Sequence, residues 1–254
     1  SAGPEAAFDG LLKTYPSGDV VLLQYHAQGN GGLDPLSSPD GDARWNYYRR
    51  LFTDKTRSSL EPAAIFNGKE PKAVGGGVDV SKSRYQDFCE RMSIWFDAEA
   101  GPKLKLTAAE KESKIDVQAT VDGLDDPGKD KRLRLILVED SVHYAGANGI
   151  RFHHRVVRAM PGGPAGFVLK EANSKQTATV DLIELKKQLT GYLEEASKKQ
   201  PTPDREGMAG RPRPIDERLL DLKSLKLVAL VQDDKTGEIL QAAEVDLGAG
   251  KKEK

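Results

Sequence analysis

The chain carries one thiol, Cys89, and four imidazoles, at His26, His143, His153 and His154. A reactive thiol needs exposure and a pKa lowered by a helix N-terminus or a cationic neighbour. Cys89 lies instead between Phe88 and Met92 in a run whose apolar residues recur at helical spacing, which favours core packing over reactivity. A lone cysteine closes no intrachain disulfide and supports no dithiol exchange within one molecule. His26 ends an apolar run, where a general base could act. Neither a nucleophile nor an orienting partner lies nearby in sequence, which favours a hydrogen-bonded structural histidine.

His153 and His154 suggest a metal site, but adjacent residues on a strand point to opposite faces and do not readily share one ion. No Cys, Asp or Glu recurs around them at ligand spacing, so no metal is expected. Arg151, His153 and Arg155 would line one face as a basic stripe, a candidate anion or partner surface. Glu139 and Asp140 fall on the probable neighbouring strand, and cross-strand pairing is the favoured outcome. Gly75-Gly76-Gly77 is not followed by the lysine and hydroxyl residue of a phosphate loop, and no GxGxxG follows the first apolar run. No serine hydrolase motif is present. Neither a catalytic residue nor a cofactor is expected.

The elements that must position these groups are set by composition and pattern. A chain of 254 residues, with 38% hydrophobic and 30% charged residues, suits one large soluble domain or two ordinary ones. Its net charge of -1 gives no global attraction to nucleic acid or an anionic membrane. No apolar run approaches the roughly 20 residues of a membrane helix. The Ser1-Ala2-Gly3-Pro4 start has neither the charged nor the apolar region of a signal peptide, so none is expected here. Scarce cysteine fits an oxidising compartment and the cytosol equally well.

Residues 4–14 (PEAAFDGLLKT) form an amphipathic helix candidate, and residues 20–26 (VVLLQYH) a buried strand after the turn Pro16-Ser17-Gly18-Asp19. A glycine-rich loop follows, then residues 34–42 (DPLSSPDGD) with N-cap candidates Asp40 and Asp42, and an aromatic helix over 43–52. Residues 61–68 read as a strand headed by Pro62 and ending in the turn dipeptide Asn67-Gly68, with a hairpin into a short edge strand. A helix is expected from Ser81 to about Glu99, with Tyr85, Phe88, Cys89, Met92 and Phe96 on one face. Gly101-Pro102 breaks it and marks the expected domain boundary.

Beyond that point the pattern becomes one of strands. Residues 114–121 alternate, with Ile115, Val117, Ala119 and Val121 on one face; 132–138 and 149–158 read as two further strands. Residues 225–231 and 238–247 flank Asp233-Asp234-Lys235-Thr236-Gly237, a hairpin signal. Short strands with regular turns argue for a β-sandwich. It is interrupted by a helix at about 181–198, where Leu182, Leu185, Leu189 and Tyr192 keep helical spacing. A mobile loop is expected at about 200–214 (QPTPDREGMAGRPRP).

Strand, glycine-rich loop, helix, proline-headed strand and turn, in that order, resemble the thioredoxin fold. Gln24-Tyr25-His26-Ala27 then matches the strand that delivers the redox motif, and the CxxC positions fall on Asn30-Gly31-Gly32-Leu33. Neither asparagine nor leucine forms a mixed disulfide, so thiol–disulfide exchange has no nucleophile there. The runs at 144–163 (YAGANGIRFHHRVVRAMPGG) and 227–234 (LVALVQDD) are similar to bacterial thioredoxin-like envelope proteins with an appended immunoglobulin-like sandwich, and to related outer-membrane proteins. The fold class expected is therefore an α/β thioredoxin-like domain over 1–101, lacking CxxC, followed by an all-β immunoglobulin-like sandwich with a helical insertion over 102–254.

The resemblance implies export to the periplasm or cell envelope. It also implies a groove at His26, Asn30, Gly31, Gly32, Leu33, Glu61 and Pro62, the proline being the one that is cis beside the substrate strand in thioredoxins. The expected function is a redox-inactive, non-catalytic module that binds a protein or peptide partner, or serves assembly in an envelope complex. No nucleic acid partner is expected. The alternatives are a thiol-dependent redox factor using Cys89 and a histidine-based metal-binding protein.

Overall fold

The structure, a computed structural model, describes residues 1–16, 18–28, 33–52, 63–69, 72–99, 101–146, 148–199 and 216–247. Helix α1 (Ala2–Thr14) starts two residues before the expected position, with Glu5 in its first turn and Lys13 in its last, both favourable to the helix dipole. Helix α2 (Pro39–Phe52) also starts early, so Asp40 and Asp42 lie in its first turn and not ahead of it. The short strands β1 (Ala63–Ala64) and β2 (Lys72–Ala73) pair antiparallel. The turn over Asn67-Gly68 is closed by the Lys69 N–H donating to the Phe66 carbonyl at 2.9 Å. Both central residues are left-handed, at φ 48° and 71°, as a type I′ turn requires.

Helix α3 (Ser81–Ser93) stops short of Glu99. Residues 94–97 turn away, so Phe96 leaves the apolar face and is 50% exposed, its ring 5.5 Å from Tyr15. Phe88 and Met92 are buried as the spacing requires, and half-buried Cys89 packs against the same cluster.

The C-terminal region is built by alternation. Strands β3 (Lys103–Lys111) and β4 (Lys114–Asp122), with β8 (Ser174–Asp181), make one antiparallel sheet in the order β3-β4-β8. Strand β5 (Gly128–His143) carries β6 (Phe152–Ala159) and β7 (Phe167–Leu169) on one side and β9 (Leu225–Asp233) on the other, with β10 (Ile239–Asp246) outside β9. Ile115, Val117, Ala119 and Val121 of β4 face Leu133, Leu135 and Leu137 of β5 and Leu227, Ala229 and Val231 of β9 in the main core. Helix α4 (Leu182–Lys199) adds Leu185, Leu189 and Leu193 to it. The fold is thus mixed α/β, with antiparallel sheets and four α-helices among the described residues. Strand β3, which was not anticipated, alternates Leu104, Leu106 and Ala108 toward this core and turns into β4 at left-handed Glu112. The expected loop at 200–214 lies outside the described residues.

Residues 20–26 are extended but are not a regular strand. Gln24 alone bridges β6, in parallel: its N–H donates to the Arg155 carbonyl at 2.8 Å and its carbonyl accepts from Val157 N–H at 3.0 Å. Arg155 is left-handed here, at φ 58°. Period-two alternation still decides the packing. Val20 and Leu22 join Ala7, Leu11 and Phe88 beneath α1 and α3, whereas Val21, Leu23 and Tyr25 pack on Ile136, Val138, Val157 and Val228 of the larger sheet.

Candidate functional site

The residue at the end of that extended segment is His26. Its Nδ1 lies 2.8 Å from Asp34 Oδ2, and the other Asp34 oxygen accepts the Leu36 N–H at 2.9 Å. Burial pushes the Asp34 carboxyl up, but His26 and the Leu36 amide outweigh it and leave the pKa below the ordinary carboxylate range. Gln28 ties this turn to α2: its N–H donates to Asp42 Oδ1 at 2.8 Å and its Nε2 to the Asp34 carbonyl at 3.0 Å. Tyr192 of α4 donates to Asp42 Oδ2 at 2.6 Å. Burial first, and this bond second, raise the Tyr192 pKa. Gly41 permits the close approach, since a Cβ there would lie 2.1 Å from the His26 carbonyl oxygen.

A second histidine stands beside the first. The rings of His26 and His153 meet edge-on at 5.9 Å. His153 contacts Glu5 of α1 at 3.1 Å, and Asn148 donates to the other Glu5 oxygen at 2.7 Å. His154 reaches Asp9, one turn along the same helix, at 4.0 Å. Three of the four histidines therefore face carboxylates where α1, β6 and the residues around His26 and Asp34 converge.

The basic stripe is corrected by burial. Arg151 is exposed, but His153 and Arg155 are 4% and 6% exposed and form no surface. Arg155 donates to Glu244 of β10 at 2.8 Å and contacts Asp140 at 3.0 Å. Arg158 donates to Glu139 at 2.8 Å, so both acids do pair across the strands. His153 and His154 both reach α1, through Glu5 and Asp9 one turn apart, a placement that strand alternation alone did not foresee. Of the expected groove, His26 and Leu33 are described. Asn30, Gly31, Gly32, Glu61 and Pro62 lie outside the described residues.

Sequence reasoning missed the polar contact between α2 and the larger sheet. Arg44, 1% exposed, donates to the Tyr48 hydroxyl and to Gln232 Oε1, each at 2.9 Å, and its guanidinium stacks on Tyr47 at 4.4 Å. Arg134 donates to the same Gln232 oxygen at 3.0 Å and pairs with Asp234 at 2.8 Å. Desolvation pushes the nearby Tyr25 hydroxyl up to about 12. The available signal was the pair of nearly continuous apolar runs at 132–138 and 225–232, the mark of strands covered on both faces.

Among the described residues no group of three or more His, Cys, Asp or Glu side chains is placed to hold a metal ion, and no helix is long and apolar enough to cross a membrane. No family model matches the chain, and no curated protein does. Among solved structures the chain is similar to HBP35 of Porphyromonas gingivalis, with a TM-score of 0.50 and 11% identity over 83% of this chain. The match spans 59% of that protein, less than two thirds of its length. At this identity the likeness is one of fold.

Proposed function

We propose that the chain is a non-catalytic protein- or peptide-binding module of the bacterial cell envelope, with a redox-inactive thioredoxin-like region over 1–101 and an immunoglobulin-like sandwich over 102–254. The observation that carries this proposal is the use made of the segment that would deliver a redox motif. Residues 20–26 end in His26, held by Asp34 and braced by Gln28, Asp42 and Tyr192, while the CxxC positions hold Asn30 and Leu33. A segment without a thiol at these positions suits recognition of an extended chain better than exchange chemistry. The fold likeness to a bacterial protein supports the envelope setting.

The test is amide chemical-shift mapping of the full chain against a library of extended peptides, run beside a disulfide-reduction assay. Binding should shift His26, Leu33 and Ala63-Ala64, and reduction should stay at the buffer rate. Catalysed reduction that disappears in Cys89→Ser would replace this proposal with the thiol-dependent factor. A library that moves none of these amides would remove the groove.

A further inference from the structure

His153 and His154 are neighbours on β6, and each ring is held with both nitrogens toward acceptors. His153 Nε2 lies 3.2 Å from the Tyr144 carbonyl oxygen and Nδ1 lies 3.1 Å from Glu5 Oε2. His154 Nδ1 lies 3.2 Å from the Asp140 carbonyl oxygen and Nε2 lies 4.0 Å from Asp9 Oδ1. A carbonyl oxygen only accepts, so the nitrogen facing it carries a proton. A neutral ring then turns a lone pair toward a carboxylate at its other nitrogen. The doubly protonated ring removes that conflict by placing N–H groups and positive charge on both sides. Among the described residues Glu5 Oε2 and His153 Nδ1 are buried 3.1 Å apart, and neither has another hydrogen-bond partner.

We infer that α1 is a proton-dependent latch: it docks on β6 through an imidazolium at His153, with His154 as a weaker second contact, so that docking takes up protons and loosens as the pH rises. The Glu5 carboxylate is suited to this. Burial raises its pKa, but His153 foremost, with the Ser1 amine and His26, outweighs burial and leaves it below the ordinary range. Asp9 is the weaker partner, because burial raises its pKa and the distant His154 does not offset it.

The other groups at the seam do not supply the same switch. The Ser1 amine and Lys13 lie on α1 itself and act on Glu5 and Asp9 respectively. On the sheet, Arg155 and Asp140 neutralise each other at 3.0 Å. His26 donates from Nδ1 to Asp34, and its charge acts on Glu5 without a direct contact to α1. From α3, Tyr85 meets Thr14 at the far end of the helix, and Arg84 points to the Gly75 carbonyl. Release of α1 would uncover Val20 and Leu22, which Ala7 and Leu11 now shield.

Hydrogen exchange of the full chain tests the latch at about pH 5.5 and about pH 8, the range in which histidine charge ordinarily changes. After correction for intrinsic rates, protection of α1 relative to β9 should fall on the order of tenfold between the two pH values, the change produced when one proton is linked over about one pH unit of that range. Glu5→Gln should keep α1 docked but flatten the response, because a carboxamide can donate to the lone pair of a neutral His153. His153→Gln should flatten it too, and His154→Gln only in part. Equal α1 protection at both pH values in the parent chain, or an undiminished response in Glu5→Gln, would overturn the inference. If His153→Gln loses α1 at both pH values, Glu5→Gln alone decides.

Discussion

The two faces of β5 and β9 do different work. On the inner face, Leu133, Leu135, Leu137, Leu227, Ala229 and Val231 meet β4 and α4 with apolar side chains alone. On the outer face, Ile136, Val138, Val228 and Leu230 meet Val21, Leu23 and Tyr25, but Arg134 and Gln232 are buried among them. Apolar burial is non-directional and tolerates any partner of matching volume. Buried guanidinium and amide groups demand partners in fixed positions, and here Tyr48, Arg44 and Asp234 supply them. The inner face closes the core between the two sheets; the outer face selects which segment docks on it.

The largest effect should come from the inner face. Leu135→Ala opens a cavity at a fully buried position and should cost about 2–5 kcal/mol. Urea unfolding should show a lower midpoint, with exchange protection falling on both sides of the sheet. Loss confined to α2 and residues 20–26 would erase the distinction between the faces.

On the outer face the two arginines should separate. Arg134→Met leaves Asp234 only the longer Arg132 contact at 3.5 Å and frees the Pro164 carbonyl, a cost of about 2–3 kcal/mol for a partly buried charge and a carbonyl that lose their hydrogen-bond partners. Among the described residues Arg44 contacts no carboxylate, and its Nε and Nη1 are buried without a hydrogen-bond partner. Arg44→Met should therefore stay within about 1 kcal/mol of the parent in overall stability. It should nevertheless speed exchange in α2 while β4 and β8 stay protected. Equal unfolding midpoints for the two variants would count against a directional outer face.

A third contact joins the regions turn to turn. The Ile239 N–H donates to the Asn67 carbonyl at 3.0 Å, and Lys69 meets Glu238 at 2.6 Å. A Cβ on Gly68 would fall 1.8 Å from the Gly237 carbonyl oxygen, at a left-handed φ of 71°. Gly68→Ala should cost about 2 kcal/mol through overpacking and backbone strain. Faster exchange at Lys69 and Ile239, with β4 unchanged, is the expected signature.

The smallest effect should appear in acid. The Asp34 pKa is depressed in the folded chain. Its contribution is therefore full above the unfolded value and is lost as the pH falls through the lower folded one, below about pH 4. Asp34→Asn should flatten the acid limb of the stability curve and lower the plateau above it by about 1 kcal/mol. An acid limb unchanged by the substitution would show that the His26 contact contributes no net stability.

Local physics was legible in the sequence wherever one element decides its own fate. The alternation at Ile115, Val117, Ala119 and Val121 gave β4 and its buried face, the Leu185–Leu189 spacing gave α4, and Asn67-Gly68 gave a turn only left-handed residues make. Cys89 falls on the apolar side of α3 for the same reason. Phe96 shows the limit of this logic: spacing says where a face would continue, not where a helix stops. Long-range partners were not legible. Glu5 and His153 are separated by most of the first region and about a third of the second, and no pattern in either segment records that they meet. Arg44 and Gln232, 188 positions apart, are a stronger case. Periodicity reports which side of an element is apolar, because that is set within a few residues. Which buried charge finds which acceptor is set by packing of the whole chain, and only the tertiary structure decided it.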